Sequence, residues 1–93
     1  MESSLKSVRV CISGRVQGVG YRYWTKQEAC RLGLCGWVRN RSDDRVEAVF
    51  EGDAATVDEM IRSCRQGPPT AIVGDVTVED RVHEGLQGFE IRR

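Results

Sequence analysis

Two arginines, three glycines and no acid stand together in Gly14-Arg15-Val16-Gln17-Gly18-Val19-Gly20-Tyr21-Arg22. That set of residues suits an anion. Glycine admits positive φ values and lets a ligand come close to the main chain. A loop of free peptide N–H groups entering a helix N-terminus is a ready anion site. Arg22, in the first helical turn, adds a planar cationic fork. The stretch reads as a phosphate cradle formed by Arg15, Val16, Gln17, Gly18, Val19 and Gly20, with Arg22 as its charged end. Taken alone, Arg22 would more often be a solvated helix residue, and Gly18 and Gly20 could serve only a tight turn. The loop context reverses that balance. Arg15 stays open between a backbone that lines the cradle and a side chain that is merely solvated.

The elements around this loop must explain how it is positioned. Val8, Val10 and Ile12 alternate with Arg9, Cys11 and Ser13, the period of a half-buried strand, over residues 7–13. Residues 1–6 read as a flexible terminus and residues 7–93 as one domain. After the glycine loop, Tyr21, Thr25, Ala29 and Leu32 share one face of a helix that Gly33 ends. Residues 35–40 and 46–51 read as a hairpin around a polar turn. Asp53 suits the cap of a second helix, whose face carries Val57, Met60, Ile61 and Cys64. Gly67-Pro68-Pro69 stops it. A strand follows over residues 70–80, with a change of apolar phase that places a bulge at Gly74-Asp75. A loop over residues 81–87 leads to a short closing strand through Phe89 and Ile91.

This order, β-α-β-β-α-β plus a terminal strand, predicts a ferredoxin-like α+β sandwich. Two helices would cover one face of an antiparallel sheet. The first and second strands run in one direction with the third between them, so their C-terminal ends share a sheet edge. The first ends in the glycine loop and the second at Asn40. Asn40 shares parity with Val38, so it faces the helices if Val38 does, and it can converge with Arg22 on one pocket.

Composition removes several alternatives. Lys+Arg and Asp+Glu both number 14 in 93 residues, a formal net charge of zero. That argues against a nucleic-acid partner and against an electrostatic membrane anchor. No apolar run approaches the roughly 20 residues that span a bilayer, and the N-terminus has no apolar signal region. The expected compartment is the cytoplasm. Of Cys11, Cys30, Cys35 and Cys64, none form C-x-x-C, and His83 is the one histidine. Zinc spacing is therefore lacking, and neither metal nor cofactor is expected. Two disulfides are arithmetically possible, but buried free thiols are the better reading. His83 reads as a surface residue, and Trp24 and Trp37 as packing residues.

The loop at residues 14–22 resembles the first signature of the acylphosphatases. Gly36-Trp37-Val38-Arg39-Asn40, followed by Asp43, Val46-Glu47 and Gly52, resembles the second. Gly67-Pro68-Pro69 and Gly88-Phe89-Glu90-Ile91 also fit, so the likeness covers nearly the whole chain. The resemblance implies hydrolysis of the carboxyl-phosphate bond of acyl phosphates to carboxylate and inorganic phosphate, without metal or phosphoenzyme. It implies that main-chain N–H groups hold the phosphoryl group, that Arg22 binds phosphate and is catalytic, and that Asn40 orients the attacking water. A related domain opens larger carbamoyl-transferring maturation proteins, but the end at Arg93 reads as free-standing. Two departures stand out. The family often has Asp-Gly in the hairpin turn, where this chain has Asp43-Asp44. Tyr21 replaces a common Phe, and its hydroxyl needs a partner or water.

An acyl phosphate is a mixed anhydride, so holding it and stabilising its equatorial oxygens can suffice without a strong base. The expected partners are thus a small acyl phosphate and inorganic phosphate, met by a monomer. The competing reading on the same fold is a non-catalytic anion-binding module. An RNA-recognition domain shares the element order. It would need stacking aromatics on the first and third strands, where Phe50 stands alone.

Overall fold

Val8, Val10 and Ile12 are fully buried, as their alternation requires, within strand β1 (Leu5–Arg15). The computed structural model describes residues 4–93. After β1 come α1 (Tyr21–Arg31), β2 (Cys35–Asn40), β3 (Val46–Asp53), α2 (Ala54–Gln66), β4 (Ile72–Asp80) and β5 (Phe89–Arg92). β1 starts two residues before the expected Ser7. Leu5 pairs with Asp53 and Lys6 with Gly52, and Lys6 Nζ donates to Asp58 Oδ1 at 3.0 Å. Backbone pairing holds these two residues in place of the flexible terminus expected there. Their side chains carry no apolar alternation that could announce a strand. Residues 1–3 of that terminus lie outside the described residues.

The sheet order is β4-β1-β3-β2-β5. The first four strands pair antiparallel, while β5 lies parallel to β2. The sheet is therefore mixed where an antiparallel one was expected. Connectivity is the reason. β4 and β5 are the two edges, and the 81–87 loop carries the chain from one edge to the other. β5 therefore rises beside β2 in the same direction. The bulge falls as expected, since Ser13 pairs with Asp75 but Gly14 pairs with Val73, leaving Gly74 as the extra residue.

Both helices pack on one face. α2 covers β1, β3 and β4, and α1 covers β2 and β5. Val57, Met60, Ile61 and Cys64 are the buried residues of α2, and burying each large aliphatic side chain stabilises by about 1.5–3 kcal/mol. Phe50 and Phe89 stack at 5.7 Å between centroids. The Tyr21 hydroxyl donates to the Cys64 carbonyl at 2.7 Å, which supplies the partner that a buried phenol needs. Asp53 sits at the cap position of α2 with extended backbone, but its side chain makes no capping bond. All four cysteines are free, yet only Cys11 and Cys64 are buried. Cys30 is exposed, one position past the core-facing Ala29, which corrects the expectation of burial for all four. Burial pushes the Cys64 thiol up to about 12.

The face opposite the helices carries acids that are out of solvent. Glu47 is 4% exposed and Glu51 is 2% exposed. Glu47 bridges the guanidiniums of Arg9 and Arg39. Glu51 Oε2 accepts from Ser7 Oγ and from the Glu84 N–H, and Oε1 accepts from the Leu86 N–H, each at 2.9 Å. His83, expected as a surface residue, stands 3.8 Å from Glu51. The 81–87 loop is thus tied down on this face by one carboxylate. Burial raises the Glu51 carboxyl, but the two N–H donors, Ser7 and His83 outweigh it and hold it below its ordinary value.

A folded-state value held down means that Glu51 stabilises fully above its ordinary value of 4.5, and that this stability is lost as pH falls through the folded value. Glu51→Gln should cost about 1.5–3 kcal/mol near pH 7. In urea unfolding the difference from wild type should narrow as pH falls below 4.5. Separately, Asp44 has φ 71°, a left-handed conformation that strains a side chain. Asp44→Gly should raise stability by up to about 1 kcal/mol, read as a higher denaturation midpoint.

Candidate functional site

Gly18 and Gly20 have φ 73° and 80°, and a Cβ at either would meet nothing within 4 Å. Their glycine is demanded by backbone conformation rather than by space. The turn they make ends in α1, whose cap residue is Gly20, with no side-chain cap and no acid in the first turn. The first intrahelical bond runs from the Trp24 N–H to the Gly20 carbonyl at 3.0 Å. Among the described residues, no backbone carbonyl accepts from the N–H groups of Val16 to Gly20. The N–H groups of Tyr21, Arg22 and Tyr23 are the helix's own orphan donors. A row of unsatisfied donors therefore meets the positive end of the helix dipole.

These donors open onto a cleft of about 190 Å³ lined by Val16, Gly18, Gly20, Tyr21, Arg22, Tyr23, Asn40 and Ile91. β1 and β2 end at this sheet edge with β3 between them, so the strand order brings Asn40 under the helix start. Asn40 continues the parity of Val38, which is fully buried. Its Oδ1 is buried and has no hydrogen-bond partner. Arg22 Nη1 donates to the Arg92 carbonyl at 3.2 Å, which ties the guanidinium to the end of β5.

Of the residues expected to form the cradle, the cleft brings together Val16, Gly18, Gly20 and Arg22, with Asn40 opposite. Arg15, Gln17 and Val19 do not line it. Arg15 is exposed and ends β1 paired with Ile72. Val19 leans on the core, and its carbonyl accepts from Thr70 Oγ1 at 2.6 Å. Gln17 acts as a brace, because its Nε2 donates to the carbonyls of Arg41 and Arg45, both at 2.9 Å. The cradle is thereby fastened to the turn that follows Asn40. Asp43 organises that turn, held well below the usual carboxylate range by Arg45 and then Arg41. Tyr23 and Ile91 are lining residues that sequence reasoning missed. For Ile91 a signal exists only in the pairing with Val38, which periodicity cannot supply. Among the described residues no cluster of three or more His, Cys, Asp or Glu is placed to hold a metal.

Fold and site together define a ferredoxin-like sandwich with a donor-lined cleft where a glycine loop enters its first helix. The acylphosphatase family model matches residues 8–91. The chain is 58% identical over 92 residues to an acylphosphatase of Trichormus variabilis, covering 99% of this chain and 91% of that one. Among solved structures, the acylphosphatase from Bacillus subtilis superposes with a TM-score of 0.91 at 38% identity, covering 97% of this chain and 100% of that one. The acylphosphatase from Coxiella burnetii gives 0.91 at 35% identity, covering 95% and 93%. The chain belongs to the acylphosphatase family.

The brace can be tested by stability. Gln17→Ala removes two hydrogen bonds and should cost about 1–2 kcal/mol in chemical denaturation. Gln17→Glu cannot donate and sets a charge against two carbonyls, so it should cost more than the alanine. Equal stability of all three proteins would show that the brace carries no energy.

Proposed function

We propose that the protein is an acylphosphatase that hydrolyses the carboxyl-phosphate bond of acyl phosphates, giving a carboxylate and inorganic phosphate. The observation that carries this reading is the buried, unpartnered Asn40 Oδ1 in the same cleft as Arg22 and the free N–H groups. A buried acceptor needs a donor. A water donating to Oδ1 would be fixed beside a phosphoryl group held by the loop. Main-chain donors of the 15–20 loop and the Arg22 fork would donate to the equatorial oxygens and stabilise the charge that grows on them. The water oxygen bonds to phosphorus as the bond from phosphorus to the acyl oxygen breaks, and the electron pair leaves on the carboxylate. Asn40 does not titrate, so it orients without acting as a base. The water's proton passes to the phosphate being released.

In this reading the reaction calls for no metal or cofactor, and the protein acts as a cytoplasmic monomer. Its zero formal net charge supports the absence of a nucleic-acid partner.

Hydrolysis of benzoyl phosphate without added metal tests the activity. Arg22→Ala and Asn40→Ala should each lower kcat by about 100-fold or more, with thermal unfolding near that of wild type. Full turnover in either variant removes that residue from the mechanism. Phosphate binding with no hydrolysis of any acyl phosphate would instead establish a non-catalytic anion-binding module. A pH–rate profile governed by an enzyme side chain near neutrality would overturn the proton path.

A further inference from the structure

The cleft has a second wall that phosphate does not use. Among its lining residues, Arg22 is the one charged side chain and Asn40 the one amide, and the hydrolytic reading gives both to the phosphoryl group. Beside them stand Tyr23, 62% exposed, and Ile91, 38% exposed. Large apolar side chains scattered singly on a surface need no explanation. Two on opposite sides of one small anion cleft are a different matter, because they border the opening through which a group tethered to the anion must leave.

Their placement follows from the fold. Ile91 pairs in parallel with Val38, and Val38 shares its side of β2 with Asn40, so Ile91 faces the helix layer. Tyr23 is the third residue of α1, the helix that packs over β5. Phosphate bound at the helix start would therefore have Tyr23 on the helix side and Ile91 on the strand side of whatever it carries.

We propose that Tyr23 and Ile91 bind the acyl group and set the specificity of the cleft. The class of substrate they select is an acyl phosphate with an uncharged, apolar acyl group, aromatic or branched, over one with a small or anionic group. The apolar walls gain by being covered, and a second anion would find no further cation among the lining residues. The inference rests on the hydrolytic reading above.

The test compares benzoyl phosphate with acetyl phosphate, using wild type, Tyr23→Ser, Tyr23→Phe and Ile91→Ala. Inorganic phosphate as competitive inhibitor reports on the cradle alone. Wild type should favour benzoyl phosphate in kcat/KM. Tyr23→Ser and Ile91→Ala should each raise KM for benzoyl phosphate by about tenfold. Acetyl phosphate kinetics and phosphate inhibition should stay within about twofold, and Tyr23→Phe should keep the wild-type ratio. An unchanged ratio in both truncations, or equal losses on both substrates, overturns the inference while the hydrolytic reading stands. No hydrolysis of either substrate by wild type overturns both.

Discussion

The N-terminus of α1 is left without a side-chain cap. A helix start normally finds a Ser, Thr, Asp or Asn whose side chain takes one of the orphan N–H groups. Here the cap is Gly20, with no side-chain bond and no acid in the first turn. At this helix end the donors are left to the cleft, and the rest of the molecule is arranged around it. Gly18 and Gly20 turn the chain so that the donors face a common cleft. Val16 and Tyr21, each 1% exposed, anchor both ends of the turn in the core. An anion is the natural complement of such a site.

Holding that helix start in place involves the whole sheet, including the face remote from the cleft. Glu51 fixes the 81–87 loop through two of its N–H groups. That loop delivers β5 to the edge beside β2, and β5 ends at Arg92, whose carbonyl receives Arg22. Arg92 also places its guanidinium over the Trp37 ring at 4.8 Å, which adds a cation–π contact on the open face. A buried acid at one end of the sheet is thus linked, through a loop and a short strand, to the arginine at the other. The links are contacts with direction, and each fixes the next. Gln17 closes the frame from the opposite side by fastening the cradle to the hairpin turn.

Much of this was legible in the amino-acid order. The alternation at Val8, Val10 and Ile12 and the helical spacing at Val57, Met60, Ile61 and Cys64 carry strong periods because each element buries one face. The phase slip at Gly74 located the bulge for the same reason. Asn40 and Arg22 could be set at one edge because strand direction follows from connection order. The parts that escaped lack a periodic signature. β5 has four residues, too few to show which neighbour it takes or in which direction. Leu5 and Lys6 join β1 through main-chain bonds, to which side-chain pattern is blind. Glu47 and Glu51 stand in a strand whose pattern alone does not announce that they are buried. Their burial depends on Arg9, Arg39 and the 81–87 loop, most of it remote in sequence.

The cradle residues themselves divide along the same line. Sequence reading grouped the loop as one phosphate contact set, because every peptide in a glycine-rich turn offers an N–H. The structure distributes the work. Gln17 gives its side-chain amide to two carbonyls of the hairpin, and Val19 gives its carbonyl to Thr70. A loop that used every residue on the ligand would have nothing left to hold its shape when the ligand departs. The Gln17 side chain and the Val19 carbonyl therefore serve the site from outside the cleft, and leave the N–H groups of both residues free. They hold Gly18 and Gly20 in left-handed conformations through contacts that come from outside the loop.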